Sequence, residues 1–93
     1  MLPGVLNNLA WLLITAENPE PADIKRGYEL AKEAVTLERS PESLDTLAEA
    51  CFLMGKREMA VRLIEEAIML DKTDNPHYRK QYEKFTDKNI TGL

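Results

Sequence analysis

The sequence predicts an all-α fold, a stack of helical hairpins closed by one last helix. Apolar residues recur at i, i+3, i+4 and i+7 in successive segments, which is the spacing of one helix face. Prolines fall at the breaks between these segments, where helices begin or end. Aromatic residues are only 6% of the 93 residues, helix-forming Ala, Leu, Glu and Lys are abundant, and no segment alternates as a strand does. A chain of this length makes one small domain.

The first two predicted helices flank a proline-rich break and form one hairpin. The first covers about 3–15, and its apolar stripe is Leu6, Leu9, Ala10 and Leu13. The break reads "ENPEPAD", in which Pro19 interrupts the pattern. Pro21 suits the first turn of the next helix, because that position needs no backbone N–H donor. The second helix covers about 21–38, and its stripe is Ile24, Gly27, Tyr28, Ala31, Ala34 and Val35.

The next two predicted helices form a second hairpin around Gly55. Ser40 is a good N-cap and Pro41 a good first residue for a helix over about 41–54. Gly55 suits the left-handed conformation that ends such a helix. The stripe of this third helix is Leu44, Leu47, Ala48 and Cys51. The fourth helix, about 57–70, is apolar around much of its circumference, which predicts packing on more than one side.

The last predicted helix covers about 76–87, with Asn75 as its cap and Pro76 as its first residue. The aromatic face, expected to point inward, is Tyr78, Tyr82 and Phe85. The outward face includes Lys80, Glu83 and Lys84. Residues 88–93 are predicted to be a frayed tail. The Asn89-Ile90-Thr91 glycosylation pattern carries little weight in a chain without a visible secretory signal.

The two hairpins repeat one pattern. A shift of 38 residues places Leu6, Leu9, Ala10 and Leu13 on Leu44, Leu47, Ala48 and Cys51. A shift of 33 residues places Gly27, Ala31, Ala34 and Leu37 on Ala60, Ile64, Ala67 and Leu70. The two shifts differ by five residues, so the first hairpin is predicted to carry five extra residues in its inter-helix loop. That loop is the proline-rich break, where insertions are best tolerated.

The second hairpin, "LDTLAEACFLMGKREMAVRLIEEAIMLD", resembles the tetratricopeptide repeat family. The family template is a 34-residue helix–turn–helix that reads W-x2-L-G-x2-Y, then A-x3-F, then P. The positions that align with the template are Leu44, Leu47, Ala48, Cys51, Ala60 and Ile64, followed by Ala67 and the closing "LD". The chain departs from the Trp, Tyr and Pro of the template at Leu44, Cys51 and Lys72. The resemblance covers about 2–71, and the first hairpin matches more loosely.

The resemblance implies both a fold and a function. The fold is a right-handed superhelical stack with repeat one over about 2–39, repeat two over about 41–72 and a capping helix over about 76–87, from the C-terminal repeats of a larger protein. The function is that of a non-enzymatic scaffold, which binds a peptide or helix in a concave groove lined by the first helix of each repeat. The alternative is a segment that caps an array or forms homo-oligomers without a peptide ligand.

Helical geometry selects the residues expected in that groove. At about 100° per residue, the side chains opposite the first stripe are Asn7, Trp11 and Ile14. The equivalent face of the third helix is Asp45, Glu49 and Phe52. One interpretation is a ligand groove with an aromatic floor and an acidic rim, which favours basic or apolar partner segments. The other is that Trp11 and Ile14 pack on a neighbouring element, while the two carboxylates form a solvated face.

The first predicted helix is apolar on two sides, and one partner helix cannot cover both. Trp11 and Ile14 lie opposite the stripe, and Val5 and Leu12 extend the stripe itself. An exposed apolar patch usually marks an interface. Two covers are expected: a preceding repeat, or a second copy of the chain in a two-fold homodimer through the first helix.

Composition excludes several classes of protein. The net charge is −4 and no run of Lys or Arg can follow a phosphate backbone, which argues against nucleic acid as a partner. The single cysteine, Cys51, is expected to be a small buried hydrophobe, and no Cys/His cluster suggests a metal or another cofactor. The only histidine, His77, is expected to be solvated, so no acid, base or nucleophile is positioned for an enzyme.

The N-terminal apolar run is predicted neither to cross a bilayer nor to act as a signal peptide. It is short, it has no basic start, and Asn7 and Asn8 interrupt it. The compartment therefore stays unknown from the sequence. The default is the cytoplasm, and a parent protein that is membrane-associated or exported stays open.

Overall fold

The computed structural model describes residues 2–87, and this part of the chain contains five α-helices and no strand. They are α1 (Pro3–Thr15), α2 (Pro21–Leu37), α3 (Pro41–Leu53), α4 (Arg57–Leu70) and α5 (Pro76–Thr86). The all-α prediction is confirmed, and every predicted helix boundary lies within one residue of the observed one. The predicted tail and the Asn89 pattern lie outside the described residues.

Local capping chemistry fixes the ends of α3. Ser40 Oγ accepts a hydrogen bond from the Ser43 N–H at 3.2 Å, and Ser43 Oγ accepts one from the Ser40 N–H at 3.0 Å. This reciprocal pair satisfies two backbone donors that the helix itself leaves unpaired. Past the other end, Gly55 has a φ of +79°, and the Lys56 N–H donates to the Cys51 carbonyl at 2.8 Å. Both predicted caps are confirmed.

Small residues bring α1 and α2 together. Gly27 is buried, and a Cβ atom built on it would lie 2.4 Å from Ile14 Cγ2 and 3.2 Å from the Ala10 carbonyl oxygen. The buried residues of α1 are accordingly Leu6, Ala10 and Ile14, whereas Leu9 is partly exposed. The stripe predicted from Leu6, Leu9 and Leu13 was therefore wrong in part. The helix is turned so that Ala10 is at the centre of its buried face.

The second hairpin has the predicted tight contact. Ala48, Ala60, Ile64 and Ala67 are all fully buried. Its turn spans 54–56, against 16–20 in the first hairpin. Helix α2 is 17 residues long, three more than the 14 of α4. Only two of the five extra residues are thus in the loop, and three lengthen α2, which corrects the prediction that all five form the loop.

Helix α3 is the centre of the structure. It contacts α1, α2, α4 and α5, and residues 43–51 are buried without interruption. Helix α4 packs on both α3 and α5, which confirms the prediction from its wide apolar surface. Arg57 at the start of α4 donates to the carbonyl of Phe85 near the end of α5, so these two helices run antiparallel. The right hand of the superhelix stays a prediction.

Candidate protein-binding site

The predicted groove residues do not all reach one surface. Asn7, Trp11 and Phe52 are half-buried, while Asp45 and Glu49 are only 6% and 8% exposed. Ile14 lies in the α1–α2 contact, because the missing side chain of Gly27 leaves room for its branched methyl. Its assignment to the groove is therefore corrected.

Helix α5 covers the two carboxylates of α3. Asp45 Oδ2 lies 2.9 Å from His77 Nε2, and Asp45 Oδ1 accepts a hydrogen bond from Gln81 Nε2 at 3.1 Å. Gln81 Nε2 also donates to Glu49 Oε1 at 3.0 Å, and Lys84 Nζ donates to the same oxygen at 2.7 Å. Both oxygens of Asp45 and Oε1 of Glu49 therefore already bind side chains of the same chain, and the acidic rim expected to meet a ligand is covered by α5.

Burial dominates the electrostatics of Asp45. Removal from water raises the pKa of its carboxyl group, and the hydrogen bonds from Gln81 and His77 oppose that rise without cancelling it. The positive charge beside Glu49 is Lys84, whose side chain is partly exposed. Removing the partner of a buried charge destabilises a protein by more than the intact pair stabilises it. These hydrogen bonds and ion pairs therefore favour the observed position of α5 along α3.

His77 is exposed, as predicted, with 44% of its side chain accessible, and it also has three partners that the sequence did not indicate. Besides Asp45, its ring lies edge-on to Trp11, with centroids 5.8 Å apart, and edge-on to Tyr78 at 5.7 Å. The backbone N–H of His77 also donates to the capping side chain of Asn75 at 3.0 Å. Trp11 belongs to α1 and His77 to α5, so this ring contact connects those two helices on one side of α3.

The other end of the α3–α5 contact is aromatic. The rings of Phe52 and Phe85 lie 4.9 Å apart, and Lys84 Nζ lies 5.5 Å and 5.4 Å from their centroids. Both distances are within the range of cation–π attraction. The buried face of α5 is Tyr78, Gln81 and Phe85, with Tyr82 exposed, so the predicted inward aromatic face was wrong at Tyr82. Lys84, predicted to point outward, contacts α3.

Asn7 lies apart from these contacts, near the start of α3. Its Oδ1 atom is buried and has no hydrogen-bond partner among the described residues. A cavity of about 200 Å³ adjoins it, lined also by Asn8, Ser40 and Ser43. A polar cavity of this size accommodates water, which would satisfy the amide oxygen.

Sequence reasoning missed an open furrow between α4 and α5. One part of about 530 Å³ is lined by Glu65, Ile68, Met69, Arg79, Tyr82 and Glu83. The adjoining part of about 490 Å³ is lined by Arg57, Glu58, Val61, Arg62, Glu65, Phe85 and Thr86. Glu65 lines both parts, so they adjoin along the two helices. Met69 is 84% exposed in it. The wide apolar surface of the fourth helix was the signal that pointed here.

Other chemistry in the described residues is limited. Cys51 is fully buried, which confirms its predicted role as a small hydrophobe, and burial raises the pKa of its thiol. Between residues 2 and 87 no cluster of three or more His, Cys, Asp or Glu side chains is arranged to hold a metal ion. Over the same residues no helix has the length and apolar character needed to cross a membrane.

Comparisons of the chain with models of protein families, with curated proteins and with solved structures find no match. The resemblance to tetratricopeptide repeats therefore stays a prediction from the residues quoted above.

Proposed function

We propose that this chain is a non-enzymatic protein-interaction module of the tetratricopeptide type, which binds an amphipathic helix or peptide of a partner protein. The α4–α5 furrow is the observation that supports this most strongly. Its floor leaves Ile68, Met69 and Tyr82 at the surface between the two helices. Large apolar side chains grouped in a groove are typical of a surface that binds a helix.

The fold already uses grooves of this kind for its own helices. Helix α3 packs against the pair α1 and α2, and α5 packs against the pair α3 and α4. The furrow also lies between two neighbouring helices, although α4 and α5 belong to successive layers of the stack and not to one hairpin. Met69 suits a binding role, because its unbranched side chain adapts to differently shaped partners.

Charges on the furrow restrict the partner. Arg79 and Glu83 flank Tyr82 on α5, and Glu65 lies across from them on α4. Positive and negative side chains thus lie within about two helical turns of each other. A partner helix that carries charges of one sign only would be repelled by at least one of them. The best partner has apolar anchors at i, i+3 or i+4 and i+7, with charges of both signs beside them.

A second candidate position is the face formed by α1, α3 and α5. Its half-buried Trp11 and Phe52 are aromatic side chains of the type found at binding hot spots. A ligand there would contact these rings, His77 and Lys84. Asp45 and Glu49 are engaged by α5, so a basic segment gains their attraction only by displacing that helix.

Selection from a library of displayed 16-residue amphipathic helical peptides tests the proposal. Affinities are then compared for the wild type, Met69→Glu and Trp11→Ala. Met59→Glu is the matched control, since Met59 is an exposed methionine of the same helix that does not line the furrow. Met69→Glu is expected to weaken binding about 30-fold, the effect of losing a hot-spot contact, and Met59→Glu is expected to change little.

Other results would place the site elsewhere or contradict the proposal. A loss with Trp11→Ala and none with Met69→Glu would move the site to the α1–α3–α5 face. Failure to select any peptide, or selected peptides that are insensitive to both changes, would contradict the proposal.

A further inference from the structure

Helix α1 exposes a regular apolar seam on the side away from α2 and α3. The N-cap residue Leu2 and the helical residues Val5 and Leu12 are exposed by half or more, and Leu9 is 36% exposed. Their spacing of three, four and three residues is the a/d spacing of a coiled-coil seam. The helix is already ordered by its contacts with α2 and α3. Binding of a partner therefore does not have to offset the conformational entropy that is lost when the helix forms.

The seam is also uncharged. The whole of Pro3–Thr15 contains no Asp, Glu, Lys or Arg, so no charge of α1 itself borders the seam. A charged partner helix would lose water at the seam and find no counter-charge there. A second α1 brings no charge to desolvate and no like-charge repulsion. The complementary helix that these features favour is therefore α1 itself.

We propose that two copies of this chain associate through an antiparallel two-fold contact between their α1 helices. This arrangement sets Leu2 of each copy against Leu12 of the other, and Val5 against Leu9. Asn8 lies beside the midpoint of the seam, where its amide both donates to and accepts from the same amide of the second copy. Antiparallel packing also places the positive N-terminal end of each helix dipole near the negative end of the other.

This contact is separate from the α4–α5 furrow, and each site has a variant that leaves the other intact. Leu12→Glu changes the seam alone, and Met69→Glu changes the furrow alone. Dimerisation and peptide binding therefore fail independently in experiments on the same protein.

Sedimentation equilibrium of the full chain over micromolar to submillimolar concentration tests the contact. The wild type and Met69→Glu are expected to dimerise with the same affinity. Leu12→Glu and Leu2→Lys, each at a strongly exposed position, are expected to weaken the dimer about 100-fold, because each places two charges per dimer against apolar side chains. Circular dichroism checks whether each variant keeps its helix content.

Mixing the two seam variants fixes the orientation. An antiparallel mixed dimer contains one Glu–Lys pair and one native Leu–Leu pair, so an equimolar mixture is expected to dimerise again. The proposal is overturned by a monomeric wild type at all concentrations, by a dimer that survives Leu12→Glu, or by variants that dissociate and are not rescued by mixing. Dissociation of Met69→Glu would also overturn it, since it would indicate a head-to-tail contact between seam and furrow.

Discussion

Replacing Gly27 with Ala should destabilise the protein, although Ala is the better helix former. The added Cβ would lie 2.4 Å from Ile14 Cγ2 and 3.2 Å from the Ala10 carbonyl oxygen. Carbon atoms in protein cores ordinarily approach to about 3.5–4.0 Å. Ile14 cannot turn its methyl away, because a β-branched side chain in a helix has one strongly preferred rotamer. The overlap is relieved only if α1 moves away from α2.

The expected loss of stability is the difference between two opposing effects, overpacking and helix propensity. Overpacking of a closed helix contact costs about 1–3 kcal/mol. Exchange of Gly for Ala inside a helix returns up to about 1 kcal/mol. The net decrease in the free energy of unfolding is about 1 kcal/mol. In a domain of this size it lowers the melting temperature by about 4–8 °C.

Gly4→Ala is the matched control for this prediction. Gly4 is also helical, in α1, but nothing lies within 4 Å of a Cβ built there. Urea unfolding followed by circular dichroism should show Gly4→Ala unchanged or stabilised, with Gly27→Ala destabilised. If Gly27→Ala stabilises the protein as much as the control does, the close α1–α2 contact is wrong.

A second substitution locates the clash. Ile14→Leu moves the branch from Cβ to Cγ at nearly constant volume and should cost less than about 1.5 kcal/mol by itself. In that background Gly27→Ala should cost less than it does alone, because the offending methyl is gone. Simple additivity of the two changes would place the steric conflict elsewhere.

Three further outcomes are expected. Burial raises the folded-state pKa of Asp45, so its protonated form adds stability that is present below the ordinary pKa and lost as pH rises through the raised value. Asp45→Asn should remove that part of the pH dependence in urea midpoints measured from about pH 4 to 7; an unchanged profile would refute the assignment. Ala48→Leu should cost about 1–3 kcal/mol in the same unfolding assay, since Ala48 is fully buried, and an unmoved midpoint would contradict close packing there. Cys51 should react with a thiol reagent only as the protein unfolds, and rapid labelling of the native state would contradict its burial.

The helices and their ends were predictable because the signals are local. Ser40 followed by Pro41 begins α3, and Gly55 ends it. Such caps act within a few residues, so the sequence around them contains all the physics they need. The buried alanines of the second hairpin follow in the same way from helical spacing.

The burial of Asp45 and Glu49 was not predictable in that way. Read on α3 alone, two carboxylates one turn apart look like a solvated face. Their burial depends on Gln81 and Lys84, which lie 32 to 36 residues further along the chain. One signal was available: Pro76 follows Pro41 by 35 residues, and each comes after a capping residue. This spacing marks α5 as a third helix of the α1 and α3 type, which belongs beside α3.

Which face of α1 is buried was predicted wrongly for a related reason. The spacing of Leu6, Leu9 and Leu13 defines an apolar face, but α1 is apolar on two sides, so spacing alone does not select between them. Gly27 decides the matter by leaving a gap that Ile14 fills. The information is therefore in the other helix of the hairpin.

The central claim, that the α4–α5 furrow binds partner helices, is tested most directly by methyl NMR with labelled methionines. Met69 lies in the furrow, while Met54 and Met59 are exposed on other surfaces and serve as internal controls. Addition of a selected helical peptide should shift the Met69 methyl resonance and leave those of Met54 and Met59 in place. A peptide that binds and moves the control methyls, with Met69 unchanged, would contradict the claim.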